Sequence, residues 1–419
     1  MTETVARPHY RLAAFSTLMT VSVLTRLLVN TANQLFNPFL TIIAAGLGLD
    51  VVTLGRLLGL RSSMAIFAPF LGSLADRWGY RKIMRLELLL GISGLLCVGG
   101  SANLGLTIVG MLLLGIGFYA FVPTLRAYLA EQLPYAKRAR GFGILEYSWA
   151  LSGIVGLYVM GQLIAAAGWR APFFVLAGGL LIAWLIFAEL PPTGRAQHAD
   201  IGAPVTNGHN SMLTWWRWGG YLRTFLTLDG NRASTWGVIW AGTVANFGFL
   251  HIAVIYGGWL ATEYHLAAEQ LGTVALVIGC ADLCGSGLAS IVADRLGKRR
   301  GVLLGWTGAL LVTALLPWLN RDLTWAVTAL VCLRAASEFG IICHMSLVSG
   351  QSRTQRGKVM TLAFAVGIVG GTVASFTGPP AYTTYGVWGL GPVTAGALLI
   401  ALGIMLRWVE EFTDDAILQ

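Results

Sequence analysis

Apolar residues dominate this chain in long unbroken runs rather than in the alternation of an amphipathic strand or the stripe of a soluble helix. Twelve runs approach or exceed the roughly 20 residues that a membrane-spanning helix needs. They lie near 12–38, 52–75, 83–101, 104–131, 142–166, 170–190, 234–260, 268–293, 301–319, 323–349, 358–380 and 387–408. Continuous runs exclude a membrane β-barrel, whose strands alternate apolar and polar positions. The pattern predicts an all-α polytopic membrane protein with twelve transmembrane helices.

Polar residues punctuate the runs in a repeating way. The stretch Gly72-Ser73-Leu74-Ala75-Asp76-Arg77-Trp78-Gly79-Tyr80-Arg81-Lys82 is echoed 218 residues later by Ser290-Ile291-Val292-Ala293-Asp294-Arg295-Leu296-Gly297-Lys298-Arg299-Arg300. Leu54-Gly55 returns as Leu271-Gly272, Arg140-Gly141 as Arg356-Gly357, and Gly153-Ile154-Val155-Gly156 as Gly367-Ile368-Val369-Gly370. An offset this constant predicts two parallel six-helix halves related by an axis along the membrane normal. Residues 1–190 form the first half and 234–419 the second with a short tail. The polar segment 191–233 reads as a linker. Within it Trp215-Trp216-Arg217-Trp218 and Tyr221-Leu222-Arg223 interleave aromatics with arginine, the composition of an interfacial helix.

Composition agrees: 56% of residues are hydrophobic and 11% charged, with mean hydropathy +0.70. A soluble domain carries about a quarter charged residues. The net charge of +9 does not point to nucleic acid, because the cations are segregated by loop. With the amino terminus in the cytoplasm, Lys82, Lys137, Lys298 and Lys358 share one side with Arg77/Arg81/Arg85, Arg138/Arg140, Arg295/Arg299/Arg300 and Arg353/Arg356. The opposite loops hold little beyond Arg170 and Arg321. By the positive-inside rule both termini are expected in the cytoplasm, and the absence of an N-x-[ST] sequon suits a plasma membrane of the bacterial inner-membrane type. The acidic tail Glu410, Glu411, Asp414, Asp415 leaves this unchanged. The first apolar run is too long for a cleaved leader. Cys97, Cys280, Cys284, Cys332 and Cys343 all fall inside predicted helices and read as packing residues, with no metal site and no cofactor expected.

The charged loop motif resembles that of the major facilitator superfamily, G-x-L-A-D-R-x-G-R-K-x between helices 2 and 3. Gly72, Leu74, Ala75, Asp76, Arg77, Gly79, Arg81 and Lys82 match it, Tyr80 stands where a basic residue is usual, and the second copy opens with Ser290. The resemblance implies a secondary active transporter working by alternating access. It also implies a cytoplasmic latch made of Gly72, Asp76, Arg77, Gly79 and Arg81, joined by Glu131 and Arg138, which match an E-x6-R pattern. Asp294 and Arg295 form the weaker counterpart. Position 347, opposite Glu131 in the repeat, is leucine. Helices 1, 4, 7 and 10 line the central path in this family. The chain departs from the drug–proton antiporter pattern at Met111, where an arginine is common, and by lacking a proline beside the helix 5 glycines.

Candidate substrate chemistry lies on intramembrane polar residues. Ser22, Arg26, Asn30, Asn33 and Asn37 recur at helical spacing and form one face of helix 1. A polar face inside a bilayer must meet protein or water. Arg61, Asp282, Arg334 and Glu338 are further ionisable groups within predicted spans. At ~2.5–3.5 kcal/mol each on insertion scales, the five charges including Arg26 cost roughly 12–18 kcal/mol before compensation. Arg334 and Glu338, one turn apart, can pair with one another. Asp282 lacks an opposite charge at helical spacing on its own helix, which makes it the sharper proton-coupling candidate, with pairing to Arg26 or Arg61 across the halves as its alternative. Glu338 and His251 are further candidates, His251 with a hydrogen-bonded structural role as its alternative. Phe118, Tyr119, Trp236, Trp240 and Tyr256 can stack on an organic solute or serve packing.

No phosphate-binding G-x-x-x-x-G-K-[ST] loop occurs, so an ion gradient rather than ATP is the expected energy source. Proton-coupled export of a small organic solute is the leading expectation, with proton-coupled uptake of an organic anion or a non-transporting membrane sensor as alternatives. No catalytic constellation stands out. The expected partners are the lipid bilayer, a small-molecule substrate and protons, and the chain is expected to act as a monomer.

Overall fold

A computed structural model describes residues 15–133, 135–191, 228, 231–352 and 355–411, all helix and short connections with no strand among them. The linker aromatics Trp215 to Arg223, Arg353 and the tail acids Asp414 and Asp415 lie outside the described residues, as do the side chains of Lys137, Arg140 and Arg356.

The twelve spans follow the apolar runs. In the first half, α1 comprises Phe15–Gln34 and its continuation Phe36–Leu47, α2 is Val51–Trp78, and α3 is Tyr80–Gly99. Next come α4, Leu104–Gln132; α5, in the successive pieces Tyr135–Leu151, Ser152–Leu157 and Tyr158–Ala167; and α6, Ala171–Glu189. The second half runs α7, Arg232–Tyr264; α8, Ala268–Leu296; α9, Lys298–Leu319; α10, Leu323–Gly350; α11, Arg356–Tyr385; and α12, Gly391–Trp408. Eleven of these are long and apolar enough to cross a membrane on length and composition. The twelfth, α3, is 20 residues long but carries Arg81, Lys82, Arg85 and Glu87.

Local chemistry sets where the helices start and stop. The side chains of Asn103 and Asp322 accept backbone N–H bonds from Leu106 (2.9 Å) and Trp325 (3.0 Å), capping α4 and α10 at equivalent places in the repeat. Gly79 and Gly297, which end α2 and α8, take almost the same backbone shape, φ/ψ 92°/138° and 88°/140°. That positive φ suits glycine and strains other residues. Two residues on, Arg81 donates to the Ala188 and Leu190 carbonyls at the end of α6, and Arg299 donates to Met405 and Leu406 near the end of α12. In both copies the basic motif thus satisfies carbonyls that a helix end leaves open.

Helix α1 extends nine residues past its expected end at 38 because it is broken rather than finished. Pro38 supplies no N–H, Phe39 has non-helical φ/ψ of −108°/22°, and the chain resumes as helix to Leu47. Helix α5 carries a π-helical segment, Ser152–Leu157, in mid-span.

The two halves meet at the end of the molecule remote from the charged loops. A Cβ placed at Gly161 of α5 would lie 2.7 Å from the Ala268 carbonyl of α8, and one at Gly279 would lie 2.7 Å from the Ile154 amide. Gly59 of α2 faces the Phe376 ring of α11, and Gly257 of α7 sits directly on Pro38 of α1. These contacts need glycine because backbone approaches backbone or ring. Toward the charged-loop end Ile66, Phe70, Leu288 and Ile291 stand 54–76% exposed on α2 and α8. A pocket of about 440 Å³, lined by Thr41, Val51, Ile255, Glu263 and Tyr382 among others, lies at the closed end. It is remote from the ionic groups described next.

A candidate central site of two opposed ionic clusters

Each half carries one ionic cluster within its spans. In the first half, Arg26 of α1 reaches Glu146 of α5 through two bonds, Nη1 to Oε1 at 3.0 Å and Nη2 to Oε2 at 2.8 Å. Arg126 of α4 donates to the same carboxylate through Nη2. The side chain of Arg26 is 5% exposed, whereas Arg126 and Glu146 are 39% and 47% exposed. Two cations therefore share one anion.

The second half reverses that ratio. Arg334 of α10 clamps Asp282 of α8, Nε to Oδ1 at 2.9 Å and Nη2 to Oδ2 at 2.7 Å. This planar, two-bond geometry is the strong form of the guanidinium–carboxylate pair. Glu338, one turn along α10, accepts only from the Ser286 hydroxyl of α8 at 3.2 Å and forms no salt bridge among the described residues. Helices α5 and α8, which carry Glu146 and Asp282, pack together at Gly153 and Gly279, so the two clusters face one another across the halves.

The arrangement differs from the sequence expectations in several particulars. Asp282 pairs with Arg334 inside its own half, where the sequence alone suggested Arg26 or Arg61 across the halves, and Arg334 pairs with Asp282 rather than with Glu338. The α1 stripe divides. Ser22, Arg26 and Asn30 are buried, and the Asn30 amide donates to Ser148 of α5 at 3.2 Å. Asn33 contributes its backbone carbonyl to Arg61, while Asn37, in the continuation Phe36–Leu47 just before Pro38, is partly exposed. Gln34, outside the expected stripe, donates to Ser152 at the start of the π-helical segment.

Arg61 is 6% exposed. Its Nη2 donates to Asn33 O at 3.1 Å, and its guanidinium lies 5.0 Å from the Phe36 ring centroid. Nε and Nη1 have no partner. The cation stands at the carbonyl-rich end of Phe15–Gln34, where the helix dipole favours positive charge. His251 is buried and bonded on both ring nitrogens, to Thr377 (3.2 Å) and to the Gly389 carbonyl (3.3 Å). Phe118 is buried in packing against Gly91, and Tyr119 is bonded to Ser62.

At the charged-loop end, Asp76 accepts from the Tyr80 hydroxyl on the following helix, and Arg81 caps α6. Nothing approaches Gly72 closely. Arg138 donates Nε–H to the Leu133 carbonyl at 3.1 Å. Glu131 is exposed at the end of α4, and Arg77, Asp294 and Arg295 are exposed on their helices.

Sequence reasoning missed Arg126 and Glu146, the partners that neutralise Arg26, and the fully buried Glu87 of α3. The available signal was the one used for the other five: an ionisable residue within a predicted span.

A family model described as Major Facilitator Superfamily matches residues 22–258. The multidrug resistance protein MdtG of Salmonella dublin is 26% identical over 397 residues, covering 91% of this chain and 92% of the relative. An uncharacterized MFS-type transporter of Bacillus subtilis, YceJ, is 26% identical over 319 residues, covering 74% and 75%. Among solved structures, a D-xylose–proton symporter superposes with TM-score 0.73 at 16% identity, covering 96% of this chain and 99% of the other.

Proposed function

Because this chain belongs to the major facilitator superfamily, we propose that it exports a small organic solute in exchange for protons, with Glu338 as the coupling carboxylate. That it is an integral membrane transporter of this superfamily follows from the family match and the fold. The direction and the proton are our reading. One observation carries it: Glu338 is the carboxylate of the central clusters left without a cation, since Arg334 holds Asp282, and Arg26 and Arg126 hold Glu146. A carboxylate of this kind can bind a proton in one state and release it, or meet a cationic solute, in another. The similarity to a multidrug resistance protein supports export.

In this reading 1–190 and 234–419 are the two rocking bodies, both termini are cytoplasmic and the membrane is a bacterial inner membrane. The halves are closed toward the outside and parted toward the cytoplasm. The latch of Asp76, Arg77, Glu131 and Arg138 then engages when the cytoplasmic ends come together. Asp282 is the ionic anchor of the site rather than its proton carrier, and His251, bonded on both nitrogens, serves α7–α11 packing.

The test is flux in liposomes containing the purified protein. An imposed pH gradient drives accumulation of a fluorescent organic cation by the native protein. Glu338→Gln abolishes that accumulation while leaving solute-for-solute exchange measurable. Accumulation that ignores the gradient, or a fully coupled Glu338→Gln, refutes the assignment. The unpartnered nitrogens of Arg61 favour one second reading, uptake of an organic anion. In that case anionic dyes accumulate along the opposite gradient, and Arg61→Gln removes the effect.

A further inference from the structure

Glu87 lies outside the central site, on the face of α3 that packs against α4, and is 0% exposed. Its Oε1 is 2.8 Å from Thr124 Oγ1, and its Oε2 has no partner. Thr124 Oγ1 also lies 2.9 Å from the Ala120 carbonyl one turn back. The hydroxyl owns a single hydrogen, so it cannot serve both oxygens fully. If that hydrogen goes to Ala120, the bond between Thr124 and Glu87 must be donated by Glu87.

Among the described residues, no cation is bonded to Glu87. From its own helix, Arg85 lies over the Trp184 ring of α6, 4.1 Å from the centroid, Arg81 caps α6, and Lys82 is exposed. From α4, Arg126 is drawn to Glu146, Tyr119 to Ser62 and Tyr128 to the Pro191 carbonyl, while Glu131 sits exposed at the helix end. Glu189 of α6 is exposed and Asp76 of α2 is bonded to Tyr80. An isolated carboxylate with one shared donor and no cation is a costly buried group, and a neutral acid is not.

The location gives the proton a consequence. Pro123, next to Thr124, lies within α4 and withholds the N–H that Tyr119 O would receive, the usual origin of a bend. Gly117 lets α4 approach so closely that a Cβ there would stand 2.6 Å from the Glu87 carbonyl oxygen. Three residues beyond the proline, Arg126 points the other way, into the central cluster.

We propose that Glu87 is a second intramembrane proton-binding site, holding a proton that it donates to Thr124 at the Pro123 position of α4, behind the cluster formed by Arg26, Arg126 and Glu146. It is a positioning residue, separate from the solute path and independent of Glu338.

Infrared spectroscopy of the purified full-length protein at neutral pH reads this directly. The native protein shows the carbonyl stretch of a protonated carboxylic acid that disappears in Glu87→Gln and persists in Glu338→Gln. Unchanged spectra in Glu87→Gln overturn the proposal. Should Glu87→Gln fail to fold, Thr124→Val keeps the acid and removes its acceptor. The band then shifts to the higher frequency of an acid without a hydrogen bond, and a spectrum identical to the native one is equally fatal. Because no transport is measured, failure of the export reading leaves this result standing.

Discussion

The bidentate pair between Arg334 and Asp282 lends itself to a quantitative test. Their side chains are 18% and 8% exposed, so little solvent screens them. Removing one partner of a buried pair costs about 3–5 kcal/mol, mostly because the other charge stays buried and uncompensated. Arg334→Met is expected at the upper part of that range. It strips the cation from Asp282 and also leaves Glu338, one turn away, facing a second carboxylate with nothing between them. Replacing both members, Asp282→Leu with Arg334→Met, removes the charges together and is expected within ~1 kcal/mol of the native protein. The coupling energy is therefore large, about 3 kcal/mol or more. Reversible unfolding in mixed micelles of rising SDS fraction, followed by the fluorescence of the 15 tryptophans, measures all four corners of the cycle. Additive costs, with the double variant as unstable as the sum of the singles, would show that the two side chains do not act as a buried pair.

The first-half cluster offers a contrast in burial. Glu146→Gln leaves Arg26, 5% exposed, without its anion and is expected to cost about 3 kcal/mol in the same unfolding assay. Arg126→Gln, at a site 39% exposed, is expected to cost less than ~1 kcal/mol. Equal costs would mean that exposure does not set the value of these contacts. Arg81→Ala and Arg299→Ala each free carbonyls at a helix end and are expected to cost a similar ~1–2 kcal/mol. A large asymmetry between them would show that the two copies of the motif do not do the same work. Gly161→Leu cannot be accommodated against the Ala268 carbonyl. Spin-label distances between the ends of α5 and α8 at the closed side should lengthen, and an unchanged distance would show that this contact does not hold the halves together.

Much of this molecule is legible in its sequence because a bilayer leaves the backbone few options. A run of 20 apolar residues has to be a helix there, and the loop cations Lys82, Lys137, Lys298 and Lys358 order the helices relative to one side. The repeat, down to the matched turns at Gly79 and Gly297, is likewise written in the chain, since a positive φ favours glycine and an exposed helix end attracts arginine. The presence of charges within the spans is also legible, because an ionisable residue inside an apolar run stands out in the sequence.

What compensates that cost depends on neighbours distant along the chain, and only the tertiary structure decides those. Arg26 finds Glu146 across 120 positions and Arg334 finds Asp282 across 52. These separations obey no helical period, because the partners stand on different helices brought together by packing. The same holds for Glu338, which forms no salt bridge among the described residues because Arg334 is already held, and for Glu87, whose one hydrogen-bond partner among the described residues, Thr124, belongs to the next helix. The sequence by itself determined that charges are buried in a membrane-spanning bundle of two repeated halves. Which of them are neutralised, and by which partner, was decided by the packing of helix against helix.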